Sequence, residues 1–263
     1  MDTFYRFEGK VCLVTGAGSK SGIGFAVAKI FGKLGAEVII TGTTDRIFQR
    51  EKELKQEGIT AHAYVIDLTN RILVLKLIKE IKKKLGTIDV LVNNAGMTQV
   101  GQVEKLTYFC DLAEGEFEDS INRNLMTAYY TTQAVIGVML EENYGRIINV
   151  SSTTGPIGSN CGEVGYGAAK AAMLGMSKGI ALEVAKNNIT INNVLPGWVA
   201  TGSQTQKEAL AGMNTPMERS GHPEEIAHMI VFLATKEASY ITGQDFVVDG
   251  GNCIIEDKGS NYK

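Results

Sequence analysis

Short apolar runs alternate along this chain with longer segments in which apolar residues recur every three or four positions. The short runs are typical of strands buried on both faces, and the longer segments are typical of amphipathic helices. Alternation of this kind predicts an α/β fold, a doubly wound parallel sheet of about seven strands with helices on both faces. We predict strands at 10–15, 37–41, 61–66, 88–92, 147–150, 189–195 and 246–248, and helices at 25–31, 46–56, 72–85, 117–140, 165–185 and 223–234.

The pattern predicts a single domain over residues 1–263, because no linker rich in Pro or Ser interrupts it. Two stretches lose the periodicity. Residues 97–116 predict an irregular connection, and residues 197–222 predict a mobile insertion. A short C-terminal tail, 252–263, follows the last strand.

The charge and composition of the chain limit the classes of partner that it could bind. The net charge of −3 and the pI of about 5.7 leave no basic field that would hold nucleic acid or an anionic membrane. No apolar run approaches the roughly 18 residues of a membrane span, and residues 1–9 carry no secretion signal pattern. We therefore expect a cytoplasmic protein whose partner is a small molecule.

Cysteine and histidine usage predicts no metal site. The four cysteines lie far apart and form no C-x-x-C pair, so the sequence predicts free thiols in a reducing compartment. The three histidines are also scattered and make no ligand pattern.

A glycine-rich turn follows the first strand. Gly16-Ala17-Gly18-Ser19-Lys20-Ser21-Gly22-Ile23-Gly24 leads directly into the first predicted helix. Strand, glycine loop and helix place backbone N–H groups and a helix N-terminus against a pyrophosphate. With the second strand this completes a βαβ unit, which predicts a Rossmann-type dinucleotide site.

The end of the second strand bears on the choice of cofactor. An NAD site usually has an acidic residue there to accept from the ribose 2′-OH, but this chain has Gly42-Thr43-Thr44. Lys20 and Arg46 could instead face a 2′-phosphate, with Thr43 donating its hydroxyl. The sequence therefore favours NADP(H) over NAD(H), although both cations could equally be solvated surface charges.

The stretch Tyr166-Gly167-Ala168-Ala169-Lys170 places a phenol and an ammonium four residues apart on one predicted helix. Residues at this spacing share a helix face. A cation beside a tyrosine favours the phenolate and lowers the phenol pKa, which makes the tyrosine a usable general acid or base. The alternative is an ordinary pair on an amphipathic helix. The other polar motifs follow predicted strands, at the edge where open α/β sheets bind ligands.

Together these motifs resemble the short-chain dehydrogenase/reductase family, most closely its 3-oxoacyl-carrier-protein reductase branch. The resemblance spans about residues 8–252. It is carried by the glycine loop, Asn93-Asn94-Ala95-Gly96, Asn124, Ser152, Tyr166 with Lys170, Pro196-Gly197, Gly243 and Asp249-Gly250-Gly251.

The resemblance implies four catalytic residues. Tyr166 would pass its proton to the substrate carbonyl oxygen, and Ser152 would hydrogen-bond that oxygen. Lys170 would hold the ribose hydroxyls and lower the Tyr166 pKa, and Asn124 would hold a water of a proton relay. The spacing from Ser152 to Tyr166 is one residue longer than usual, whereas Thr153 sits at the usual count, so Thr153 is the alternative.

The resemblance also implies a cofactor site. The glycine loop is two residues longer than the common form, so which of its side chains meets phosphate stays open. The expected contacts are Gly16, Ser19, Lys20, Ser21, Gly22 and Ile23 at the phosphates and ribose, Thr43 at the 2′-phosphate, Asp67 and Leu68 at the adenine, Asn94 at the adenosine ribose, Val199 and Thr201 at the nicotinamide carboxamide, and Tyr166 with Lys170.

The implied function is hydride transfer between NADP(H) and a carbonyl or secondary alcohol, most closely reduction of a ketone like a 3-oxoacyl thioester. Alternatives are an NAD(P)-dependent sugar, polyol or hydroxysteroid dehydrogenase and, in a different class, a non-catalytic NADPH-binding regulator. The resemblance further implies a homotetramer or homodimer and a cap over the substrate formed by 197–222. The sequence does not name the substrate, because the segments expected to select it, 97–113 and 197–222, show no pattern.

Overall fold

Seven parallel strands form one sheet in the computed structural model, which describes residues 5–96 and 106–256. The order across the sheet is β3-β2-β1-β4-β5-β6-β7, so the chain winds outward from β1 in both directions. The strands are β1 (Val11–Val14), β2 (Glu37–Gly42), β3 (Ala61–Val65), β4 (Val90–Asn93), β5 (Gly145–Val150), β6 (Ile189–Pro196) and β7 (Asp245–Val248). This confirms the predicted doubly wound fold.

Eight α-helices connect the described strands. They are α1 (Ile23–Lys33), α2 (Arg46–Gln56), α3 (Arg71–Leu85), α4 (Glu116–Ile121), α5 (Thr127–Glu142), α6 (Val164–Val184), α7 (Gln206–Met213) and α8 (Pro223–Leu233). The predicted helix 117–140 is helical along its whole length, but a π-helical turn, Asn122–Met126, joins α4 to α5. Helix α7 lies inside 197–222, where the sequence pattern predicted no regular element. Residues 97–105 of the predicted irregular connection lie outside the described residues.

Two apolar layers cover the sheet. Cys12 and Val14 of β1 belong to the layer formed with α1, α2 and α8, whereas Val11 and Leu13 belong to the layer formed with α3, α5 and α6. Alternate residues of a strand point to opposite faces, so a strand buried on both faces is apolar throughout. The continuous apolar runs seen in the sequence follow from this arrangement.

A row of polar side chains crosses four strands of this apolar sheet. Asn93, Asn149, Asn193 and Asp245 stand opposite one another on β4, β5, β6 and β7. The amide groups bond from strand to strand, with Nδ2–Oδ1 distances of 2.8 Å from Asn93 to Asn149 and 3.3 Å from Asn149 to Asn193. Ser177 of α6 joins the row, because its hydroxyl accepts from Asn149 at 2.9 Å and donates to Asn193 at 2.7 Å. The row thus ties α6 to three central strands.

Candidate active site

Tyr166 and Lys170 stand one turn apart on α6, as their spacing predicts. The Lys170 Nζ lies 5.6 Å from the centroid of the Tyr166 ring. Both residues line a cleft of about 140 Å³ at the carboxyl ends of the strands. The helix therefore delivers a phenol and an amine to one small volume.

Burial lowers the pKa of the Lys170 amine. Its side chain is only 3% exposed, and Nζ donates to the Val150 carbonyl at 2.9 Å. Ser151 fixes the same turn of α6 by donating its hydroxyl to the Lys170 carbonyl at 2.9 Å. Desolvation disfavours the charged form and lowers the Lys170 pKa from 10.5 to about 8. The group is still mostly a cation at neutral pH.

The π-helical turn brings Asn124 to this cation. Asn124 is 4% exposed, and its Nδ2 donates to the Ser120 carbonyl at 3.0 Å. A β-carbon placed on Gly96 would meet the Asn124 Oδ1 at 3.0 Å and the Lys170 Nζ at 3.5 Å, so both atoms border this glycine. Turns with π geometry are frequent at functional sites, because they aim a side chain away from the regular helix face.

Ser152 and Thr153 both line the cleft directly after β5. Ser152 is half-buried, and its Oγ accepts from the Thr154 N–H at 3.0 Å. Thr153 is 7% exposed, and its N–H donates to the Pro196 carbonyl at 3.0 Å. Ser152 is therefore the more exposed residue of the two.

The glycine loop fits a dinucleotide pyrophosphate. Gly16 has φ +70°, and a β-carbon there would lie 2.7 Å from the Ala95 Cα, so the close approach requires glycine. Gly22 caps α1 without a side-chain hydrogen bond, which leaves the first-turn N–H groups directed at the loop. Asn94 stabilises the glycine loop, because its Nδ2 donates to the carbonyls of Thr15 and Gly16 at 3.1 and 3.0 Å.

The residues that the sequence predicts at the outer part of the cofactor site lie near the ends of β1, β2 and β3. Lys20, Ser21, Thr43 and Asp67 are exposed, and Ser19 is half-buried. Leu68 is buried, as is Ile66 beside it. The Asp67 carboxylate accepts from the Thr69 N–H at 2.9 Å and from its hydroxyl at 2.7 Å. Thr41, which the sequence analysis did not single out, contacts the loop through its carbonyl, which accepts from the Ala17 N–H at 2.9 Å.

Residues 197–222 form a flap over the cleft, and its two ends are joined. The Ala200 N–H donates to the Gly221 carbonyl at 2.8 Å, and the Gly221 N–H donates to the Trp198 carbonyl at 2.9 Å. Val199 and Thr201 lie at its start and line the cleft, as does Ile23 of α1. Ser21 of the glycine loop is close beneath, with its Oγ 2.7 Å from the β-carbon position of Gly202. The flap thus meets the proposed phosphate site.

The sequence analysis did not single out several polar residues of the cleft. They include Thr154, Asn160, Glu163, Ser203, Gln204 and Glu208. A signal existed for Glu163, which precedes Tyr166 by three residues and so shares its helix side. A signal existed for Glu208 too, because Thr205-x-x-Glu208 is the capping-box pattern that starts α7.

Comparison with known proteins identifies the family. The family model described as enoyl-(acyl carrier protein) reductase matches residues 16–252. The chain belongs to the short-chain dehydrogenase/reductase family. It is 38% identical to 3-oxoacyl-[acyl-carrier-protein] reductase FabG of Thermotoga maritima over 95% of this chain and all of the relative, and 36% identical to that of Escherichia coli K12 over the same shares.

A solved structure agrees with this assignment. A putative gluconate dehydrogenase from Agrobacterium tumefaciens superposes with a TM-score of 0.87 at 28% identity, over 95% of this chain and 98% of the other. As a member of the short-chain dehydrogenase/reductase family, the protein is an NAD(P)-dependent oxidoreductase that acts on CH–OH and C=O groups. Within residues 5–96 and 106–256, no helix is long and apolar enough to cross a membrane. The same residues contain no group of three or more His, Cys, Asp or Glu side chains that could bind a metal ion.

Proposed function

We propose that the protein reduces the ketone of a 3-oxoacyl thioester to a secondary alcohol with NADPH. The observation that carries this proposal is the convergence of Tyr166, Lys170 and Ser152 on one cleft beside a pyrophosphate-binding loop. The activity printed in the names of the FabG relatives supports the substrate class.

The proposed roles follow from proton and charge requirements. When bound, NADPH supplies the hydride. Tyr166 donates its phenolic proton to the oxygen that gains negative charge, and Ser152 holds that oxygen by a hydrogen bond. The Lys170 ammonium stabilises the phenolate that Tyr166 becomes, and the Asn124 carbonyl beside it would hold a water that returns the proton.

The test is reduction of the N-acetylcysteamine thioester of acetoacetate, followed by the absorbance of NADPH. We expect turnover by the wild type and a loss of kcat of at least about 100-fold in Tyr166→Phe. The matched control is Tyr240→Phe, because Tyr240 is fully exposed. No turnover by the wild type would refute the substrate class, and undiminished turnover by Tyr166→Phe would refute the mechanism.

We also propose that NADPH is preferred to NADH. Lys20 and Arg46 are exposed near the ends of β1 and β2, and the usual ribose-binding acid is missing after Gly42. Replacing both cations by Ala should raise the KM for NADPH about tenfold and leave the KM for NADH nearly unchanged. A clear preference of the wild type for NADH would contradict this proposal.

A sugar-acid or polyol dehydrogenase is the second candidate, because the structural neighbour is a putative gluconate dehydrogenase and the cleft is rich in polar groups. Oxidation of gluconate or a polyol with NADP+ that exceeds thioester reduction would favour it. NADPH binding with no turnover of any carbonyl would favour a non-catalytic regulator. We further propose that the chain folds as one domain, that it is cytoplasmic and that it forms a homotetramer. Light scattering, which measures the mass of the assembly, tests the homotetramer.

A further inference from the structure

The part of the cleft beyond Tyr166 carries two carboxylates, Glu163 and Glu208, from separate segments of the chain. Glu163 immediately precedes α6, and its side chain makes no capping bond to that helix. Its Oε2 accepts instead from the Asn160 Nδ2 at 3.1 Å. The loop before α6 therefore presents an amide and a carboxylate to the substrate side of the cleft.

The flap presents the second carboxylate. The Glu208 Oε2 accepts from the Thr205 N–H at 2.6 Å and from the Thr205 hydroxyl at 2.9 Å, so the capping box fixes its position. Gln204 lies one turn away and donates from Nε2 to the Ser220 hydroxyl at 2.8 Å. Thr205 belongs to the flap, so the flap itself fixes the Glu208 carboxylate at the cleft lining.

The side chains that line the cleft include two carboxylates and one ammonium group. Among the described lining residues Lys170 is the single cation, and its Nζ is bonded to the Val150 carbonyl. Both carboxylates line the same cleft of about 140 Å³, so a charged group of a bound ligand would lie in a space whose side chains carry two negative charges and one positive charge. An anionic group beside the reacting carbonyl would meet repulsion, whereas ester oxygens, amides and hydroxyls would meet hydrogen-bonding partners.

We propose that Glu163 and Glu208 are specificity residues that exclude anionic substrates and admit uncharged ones whose reacting carbonyl neighbours an ester, thioester or hydroxyl group. This deepens the proposed function and rests on it for the identity of the site. It separates the two candidate functions, because a thioester is uncharged near its ketone and an aldonate is not.

The test compares ethyl acetoacetate with acetoacetate, which share a ketone and differ in one charge. Trp198, the single tryptophan of the chain, lines the cleft, so its fluorescence reports binding whether or not turnover occurs. We expect the Kd of acetoacetate to exceed that of the ester by at least about tenfold in the NADP+ complex. Glu163→Gln and Glu208→Gln should each lower this ratio several-fold, and the matched control is Glu183→Gln, an exposed site on α6.

Both variants are checked by thermal unfolding, because Glu208→Gln also changes the capping box. Equal Kd values for the two ligands, no binding of the ester, or a ratio that neither variant changes would overturn the proposal. Ester binding with the expected ratio but without NADPH oxidation would refute the proposed function and leave the specificity inference standing.

Discussion

Replacing Lys170 by Met removes the buried ammonium beside Tyr166 and keeps an unbranched side chain of similar length. Lys170 is 3% exposed, and desolvation lowers the pKa of its ammonium from 10.5 to about 8. The folded chain therefore binds fewer protons than the unfolded chain between these two pH values. Protonated Lys170 destabilises the fold below about pH 8, and this cost disappears as the pH rises through the unfolded pKa.

The magnitude follows from the shift. One pKa unit corresponds to about 1.4 kcal/mol, so the shift to about 8 costs the folded state about 3 kcal/mol at neutral pH. Between pH 7 and 9.5 the wild type should recover about 2 kcal/mol of this relative to Lys170→Met. The variant also leaves the Val150 carbonyl without its 2.9 Å donor, but that loss does not depend on pH in the same window.

Urea unfolding of both proteins without cofactor, at several pH values from 7 to 9.5, measures the difference. Subtracting one free energy of unfolding from the other cancels every group that the two chains share. Lys76→Met, which changes an exposed lysine on α3, is the matched control. In the thioester assay, Lys170→Met should lose at least about 100-fold in kcat, because the phenolate of Tyr166 loses its neighbouring charge.

A difference in unfolding free energy that stays constant from pH 7 to 9.5 would refute this reasoning. It would mean that the Lys170 ammonium keeps its solvation in the folded chain. Undiminished kcat with a changed pH dependence of stability would instead separate the burial of Lys170 from its proposed role in catalysis.

Three further predictions concern the supports of the site. Gly155→Ala should destabilise the fold by about 2 kcal/mol or more and reduce activity, because φ is +101° and the new methyl would clash with the Gly167 carbonyl of α6; thermal unfolding measures this loss of stability. Asn149→Leu should cost about 2–4 kcal/mol in urea unfolding, since it removes the buried hydrogen bonds of Asn149 with Asn93, Ser177 and Asn193, and a cost below about 0.5 kcal/mol would contradict the role of the polar row. Ser152→Ala should reduce kcat about 100-fold and Thr153→Val much less; the opposite order would transfer the oxygen-binding role to Thr153.

The sequence alone was sufficient for the local parts of this protein. The predicted helix 46–56 is α2, and the remaining predicted helices and strands lie within a few residues of the observed ones. These patterns are local, because a strand buried on both faces is a short continuous apolar run and a helix buried on one face has an apolar residue at every third or fourth position. The spacing of Tyr166 and Lys170 and the glycine loop after β1 were readable for the same reason.

The π-helical turn around Asn124 was not predicted from the sequence pattern. Residues 117–140 have helical periodicity throughout, and the change to a π-helical turn at Asn122–Met126 alters hydrogen bonding without altering composition. Helix α7 was missed for a different reason. It lies on the flap, and Gly212 is its only buried residue, so no apolar stripe marks it in the sequence.

What the sequence determined by itself is the set of elements, the cofactor loop and the identity of the chemical groups. The tertiary structure alone decided how those groups behave. The pKa of Lys170 depends on the desolvation that β5 and α6 impose on it. Glu163 and Glu208 lie 45 positions apart in the sequence, and the fold brings them to one cleft because the flap and the loop before α6 both line it. Desolvation and charge repulsion depend on distances between segments, and those distances exist only once the chain has folded.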